Sequence, residues 1–325
     1  MDARERFRRL THGLPLDRTP NFEEEIREEV LENWHAQGLP AKITLENYRE
    51  FFGIDRYDYL YLELEPRPGP LQSEEDFRRI EEGYRTDSFE FRQPAFWEAR
   101  AREYEKRDFP LGVTGWRGFM LPLFSQQSEW SSFQEVLLAL CDRPERVRHA
   151  LSVVAECYAE AIELALRYLD FDFGVILEPI ASPTGPVISP AMFRDFVFPC
   201  HRSMVDFFHS CGINVVIFRS FANLKSLLPA VVESGVDGLW IGHIHGAIDY
   251  LELRDHYPGM LLMGGIDWNA LAAGERAIDE AVNRVVPPLL AGGRYAPALD
   301  GRVRENVAYG RFQHYRRALL DATGA

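Results

Sequence analysis

Ionisable residues recur in this chain just past short apolar runs. Glu63 or Glu65 closes "YLELE", Arg117 follows "GVTGW", Glu178 follows "FGVIL" and Arg219 follows "NVVIF". Further along, His243 and His245 follow "GLWIG", Asp267 follows the glycine pair of "LLMGGID", and Asp300 follows "APAL". Taken singly, each is as well read as a rim ion pair. As a set they hold the acids, bases and cations of one site. A guanidinium grips a carboxylate through two parallel hydrogen bonds, so Arg117 and Arg219 suit a small anionic substrate, with Glu63 beside them. Glu178, Asp267 and Asp300 are the candidates for catalysis, orienting the substrate or moving a proton once burial raises a carboxyl pKa. On a strand, the i, i+2 spacing of His243 and His245 puts both imidazoles on one face. With Glu178 or Asp267 they would form a two-histidine, one-carboxylate site for a divalent metal, although such pairs also serve simply as hydrogen-bonding residues. Trp116, Trp130, Phe221, Trp240 and Trp268 lie near the same ends. They read as core or rim packing that could also wall a flat substrate, Trp116 and Phe221 in particular.

These residues matter together only if the strands carrying them share one sheet. From Asp58 onward, short apolar runs alternate with longer amphipathic ones, the pattern of βαβ units. Seven strands are read: "DYLYLELE", "PLGVTGW", "FGVILEP", "NVVIFRS", "DGLWIGH", "GMLLMGGID" and "GRYAPALD". The intervening helices carry clear stop and start signals, with Ser189 as N-cap, Pro190 at the first helical position and Gly212 beyond the end. A further strand at "RTPNF" near Thr19 would complete a single (β/α)8 TIM barrel, whose carboxyl strand ends converge on one mouth. An open doubly wound sheet is the alternative, weakened by the lack of a glycine-rich phosphate loop after the first strand. Residues 1–56 read as an N-terminal helical cover and 57–325 as the barrel. The glutamates from Glu23 to Glu29 are expected on an exposed helix face.

Composition bounds the partners. The chain has 325 residues, 46% of them hydrophobic, and a formal charge of -14. At a pI near 5.2, nucleic acid and anionic membranes are repelled at long range, so neither is expected as a partner. The opening "MDARERFRRLTHG" has no apolar targeting core, and no run approaches the ~18 apolar residues of a membrane span, so a cytoplasmic location is expected. Cys141, Cys157, Cys200 and Cys211 show no C-x-x-C spacing and are expected to be reduced, mostly buried and free of metal.

Several segments in order, "LTHGLPLDRTP", "ILEPIASPTGPVISPAMFRDFVFP", "SLLPAVVESGVDGL", "LLMGGIDWNALAAG" and "ENVAYGRFQHYRRAL", together resemble the uroporphyrinogen decarboxylase superfamily. The resemblance implies the barrel and two chemistries. Most bacterial members would imply methyl transfer involving a small carboxylated or methoxylated metabolite, with a corrinoid partner protein, and a methyltransferase is the activity expected first. The decarboxylase branch implies cofactor-free loss of a carboxyl group, and a non-catalytic binding barrel is the third reading. A second copy of the chain is a further candidate partner. The methyltransferase branch carries His-x-Cys zinc ligands where this chain has Arg219 and Phe221, neither a zinc ligand. The decarboxylase branch carries an Arg-Gln-Ala-Gly-Arg loop where this chain has "RTPNFEEEIREE", and a histidine where this chain places Asp300.

Overall fold

Every apolar run named in the sequence forms a strand. The computed structural model describes residues 1–62, 71–85, 89–120 and 130–324. Its strands are β1 (Asp58–Leu60), β2 (Leu111–Trp116), β3 (Phe173–Leu177), a small antiparallel hairpin of β4 (Ala181–Ser182) and β5 (Gly185–Pro186), β6 (Val216–Phe221), β7 (Gly238–Gly242), β8 (Leu261–Ile266) and β9 (Tyr295–Leu299). All but the hairpin join one parallel sheet of seven strands in the order β1-β2-β3-β6-β7-β8-β9. Sequential order with helical crossovers is the arrangement right-handed βαβ units produce. The helix signals act as read: the Ser189 hydroxyl accepts from Met192 N at 3.1 Å, and Gly212 ends its helix at φ 84°.

The sheet is buried on both faces. Phe173, Val175, Ile217, Trp240, Leu261, Met263 and Ala296 pack on the inner face with Phe7, Leu10 and Phe22 from the N-terminal segment. Ile176, Val216, Phe218, Leu239, Ile241 and Leu262 alternate with them and pack outward against the helices. At the amino ends of the strands, helix Ala3–Thr11 is tied down by Arg4 and Arg8, whose Nε atoms donate to buried Asp172 at 2.9 and 3.0 Å.

The expected eighth strand near Thr19 is replaced by a different device. Among the described residues, β1 and β9 do not pair, and the segment from Thr19 to Glu24 runs along the seam between them. Its bonds to the sheet's edges come mainly from side chains. The Thr19 hydroxyl donates to Tyr295 O at 2.7 Å, Leu299 N donates to the Glu23 carboxylate at 3.1 Å, and Asp55 N donates to Asn21 O at 2.9 Å. Pro20 has no N–H to give a ladder, which accounts for the irregular pairing.

This segment corrects the reading of the glutamate run as an exposed helix face. The helix begins only at Glu28 (Glu28–His35), and the preceding residues alternate as extended chain does. Phe22 points into the inner cluster. Glu23 points outward and is buried, accepting from Arg316 Nη1 at 2.9 Å and from the Tyr315 hydroxyl. Burial pushes the Glu23 carboxyl pKa up, and Arg316 then opposes the rise. Glu24 points inward again.

All four cysteines are free. Cys157 and Cys200 are buried, Cys211 is part-exposed and Cys141 is exposed, so burial covers half of them. Burial pushes the Cys200 thiol up to about 12. Among the described residues, no helix is long and apolar enough to cross a membrane.

Candidate functional site

Which way a strand's last residue points is set by alternation, and here alternation divides the expected site. In β3, Phe173 and Val175 face inward, which sends Glu178 outward into the helical layer. Glu178 is 1% exposed and accepts from Trp116 Nε1 at 2.8 Å, Phe119 N at 3.1 Å and His201 Nε2 at 3.0 Å. Those bonds fix the turn after β2 rather than reach a cleft. Trp116 joins this outer layer because the β2–β3 register shifts between Thr114 and Trp116. The extra residue, Gly115, flips the parity of the residues after it, the usual effect of a bulge. Its glycine is required: a Cβ there would sit 2.5 Å from the Phe208 ring. Trp116 therefore packs 6.0 Å from the His201 ring instead of walling a substrate, while Arg117 faces inward, 5.4 Å above the Tyr61 ring.

Arg219, the fourth residue of β6, points into the sheet's interior and is 7% exposed. Its Nη2 lies 2.5 Å from Glu24 Oε1, and its Nη1 donates to the Tyr59 hydroxyl. Its guanidinium carbon sits 4.2 Å from the Trp240 ring centroid and 5.7 Å from that of Phe221. Burial works against the charge, but Tyr59 and Glu24 outweigh it and hold the pKa above the ordinary arginine value. A cleft of about 310 Å³ opens along the seam beside this residue, between Glu24–Glu25 and the Tyr57–Tyr61 stretch. Arg49, Arg56, Arg219 and Arg302 line it, against Glu24, Glu25 and Asp58. Among the described residues, four guanidiniums against three carboxylates leave one net positive charge. Arg302 Nε lies 3.6 Å from Glu24 Oε2, so two arginines share one carboxylate. Tyr57, Tyr59 and Tyr61 form the opposite wall, with the Tyr59 and Tyr61 hydroxyls 2.5 Å apart. Burial raises the Tyr59 pKa and keeps the phenol protonated.

The remaining candidates knit loops together. Asp300, 1% exposed, accepts from Ile244 N and Trp268 N, both at 2.7 Å, joining the turns after β7, β8 and β9. Burial raises its pKa to about 6 against the opposing pull of those two N–H groups. Asp267 accepts from His245 Nδ1 at 2.7 Å and from Asn269 N at 2.9 Å. That contact raises the His245 pKa. His243 and His245 lie past the end of β7 in a turn, with His243 at φ 50°, so the period-two argument for a shared face does not apply to them. His243 packs 5.4 Å from the Phe221 ring, and its pKa is lowered by burial and then by Arg304. Among the described residues, no three His, Cys, Asp or Glu side chains come together as a metal site. Glu63 and Glu65 lie outside the described residues, as does the side chain of Trp130.

Of the site candidates read from the sequence that lie among the described residues, Arg219 alone lines the cleft, with Arg117 and Phe221 at its edges. Glu24, Arg302 and the three tyrosines were missed. The tyrosines had a signal, since Tyr57, Tyr59 and Tyr61 recur at the strand period of two. Glu24 had none, being one of a run of three glutamates. Among curated proteins, none matches the chain. Residues 127–297, more than half of its length and containing β3 to β8, match the profile of the family described as Uroporphyrinogen decarboxylase (URO-D), and the chain belongs to that family.

Proposed function

We propose that this URO-D family barrel is a decarboxylase of a small carboxylated substrate, with Arg219 and Arg302 holding a substrate carboxylate. The observation that supports this most is the buried Arg219, directed into a cleft where four arginines meet three carboxylates. Arginines held in place along the cleft wall, Arg219 among them buried, give fixed positive charge with little reorganisation during reaction. In the reaction, the bond from carbon to the departing carboxylate breaks, CO2 leaves, and its electron pair stays on carbon. The positive charge of the arginine pair favours that electron-rich carbon. A proton then completes the product, and the Tyr59–Tyr61 hydroxyl pair offers a path for it, from beside Arg219 out to half-exposed Tyr61. Tyr59 relays rather than ionises, because burial keeps its pKa high.

Methyl transfer with a corrinoid partner is the other reading of the family. The thiolate-activating version needs soft metal ligands at the positions of Arg219 and Phe221, and a guanidinium and a phenyl ring do not fit that role. The test is a screen of small carboxylates for CO2 release. Wild type is expected to release CO2 and take up one proton per turnover with at least one carboxylate, and Arg219→Lys to lower kcat/KM at least tenfold. If carboxylates bind but none yields CO2, the decarboxylase reading fails.

A further inference from the structure

Two guanidiniums meet at the inner end of the cleft, and the chain itself supplies one carboxylate between them. Glu24 Oε1 is 2.5 Å from Arg219 Nη2 and Oε2 is 3.6 Å from Arg302 Nε, with the Glu24 side chain 11% exposed. We propose that Glu24 is a specificity residue, a built-in counter-charge that limits how many carboxylates a substrate can carry into this cleft. The inference rests on the carboxylate-binding reading above. Glu24 offsets one of the two guanidinium charges, so the Arg219–Arg302 pair keeps one positive charge, reached by a ligand from the side of Arg302, whose side chain is 49% exposed. One incoming carboxylate is therefore balanced. A second would lie against the Glu24 carboxylate, whose side chain is only 11% exposed, and like charges in contact there repel by about a tenfold factor or more in affinity. Glu24 cannot swing aside cheaply. The residues before it are pinned: Thr19 to Tyr295 O, Asn21 to Asp55, and Glu23 to Leu299 N and Arg316. It is thus a fixed element of the wall and not a mobile lid.

The experiment compares matched probes, butyrate against succinate and benzoate against phthalate, titrated calorimetrically into wild type, E24Q and R302Q. Wild type is expected to bind the monocarboxylate of a pair at least as tightly as the dicarboxylate. E24Q is expected to gain at least tenfold for the dicarboxylate and less than threefold for its partner. R302Q, which leaves Arg219 and Glu24 balanced, is expected to lose at least tenfold for the monocarboxylate, and it remains informative if E24Q does not fold. A dicarboxylate-to-monocarboxylate ratio that moves less than threefold in E24Q, or unchanged monocarboxylate binding in R302Q, overturns the inference; CO2 release by wild type would still support decarboxylation, with Arg219 as the carboxylate's anchor. If wild type binds none of the four and releases no CO2 in the wider screen, both fail together.

Discussion

Glu23 and Glu24 are neighbours in sequence and opposites in setting. Glu23 faces outward, sealed between β9 and the C-terminal helix with Arg316, Tyr315 and Leu299 N as partners. Glu24 faces inward onto Arg219 and Arg302, beside a cleft. The same division runs through the strand ends. Glu178 and Trp116 point outward and fix the fold, whereas Arg219 and Arg117 point inward. Charge alone does not mark a ligand site in this barrel, since the face it lies on decides.

That contrast can be broken by mutation. The largest effect is expected at Glu23. Glu23→Gln leaves Arg316, 2% exposed, as a buried charge without its counter-ion, which typically costs about 3–5 kcal/mol. Glu24→Gln should cost under ~2 kcal/mol, because Arg219 keeps the Tyr59 hydroxyl and its aromatic neighbours beside an open cleft. Urea unfolding of both variants checks this, and equal losses would erase the distinction between the two faces.

Asp300 sharpens the comparison through pH. Its folded pKa of about 6 lies above the ordinary 3.8, so ionisation works against the fold. Its stabilising contribution is complete below pH 3.8 and is lost as pH rises through about 6. At ~1.4 kcal/mol per pH unit, that shift is worth on the order of 3 kcal/mol. The stability advantage of wild type over Asp300→Asn should therefore grow as pH falls from about 7 to about 4. A difference that stays flat across this window would show that Asp300 does not titrate there.

Glu178→Gln is expected to cost about 1–3 kcal/mol, because the amide presents a donor where the carboxylate accepted from Trp116 Nε1 or Phe119 N. Unchanged stability with altered catalysis would instead move Glu178 into the reacting site. The smallest effect belongs to His245, whose side chain is 75% exposed. The Asp267 contact raises its pKa, so the pair contributes below pH 6.5 and is lost as pH rises through the raised value. His245→Gln should lose less than ~1 kcal/mol at about pH 6 and less still at about pH 8. A loss of several kcal/mol would make this rim pair a structural element.

The strands were legible because apolar runs between amphipathic stretches leave few alternatives. Their orientation was not. Strands of a parallel sheet are apolar on both faces, so "FGVIL" carries no alternation to say that Glu178 points outward. The bulge at Gly115, which turns Trp116 outward and Arg117 inward, depends on packing against Phe208 and left no local mark. The seam misled for a different reason: "NFEEEIREE" favours helix by composition, and only its contacts with β9 and Arg316 hold its first half extended. Arg219 was legible as a charge that a buried strand would not otherwise carry. Its partner Glu24, almost 200 residues away, was not.

The most direct measurement is the affinity of Arg219→Lys for the best carboxylate found with wild type, read beside its unfolding free energy. Lysine keeps the charge and loses the planar fork. If Arg219 anchors the substrate, binding should weaken by about 2–5 kcal/mol, well beyond the ~1 kcal/mol lost with an exposed rim pair. Carboxylate affinity within threefold of wild type in a folded Arg219→Lys protein would contradict the account, placing Arg219 among the residues that only hold the barrel together.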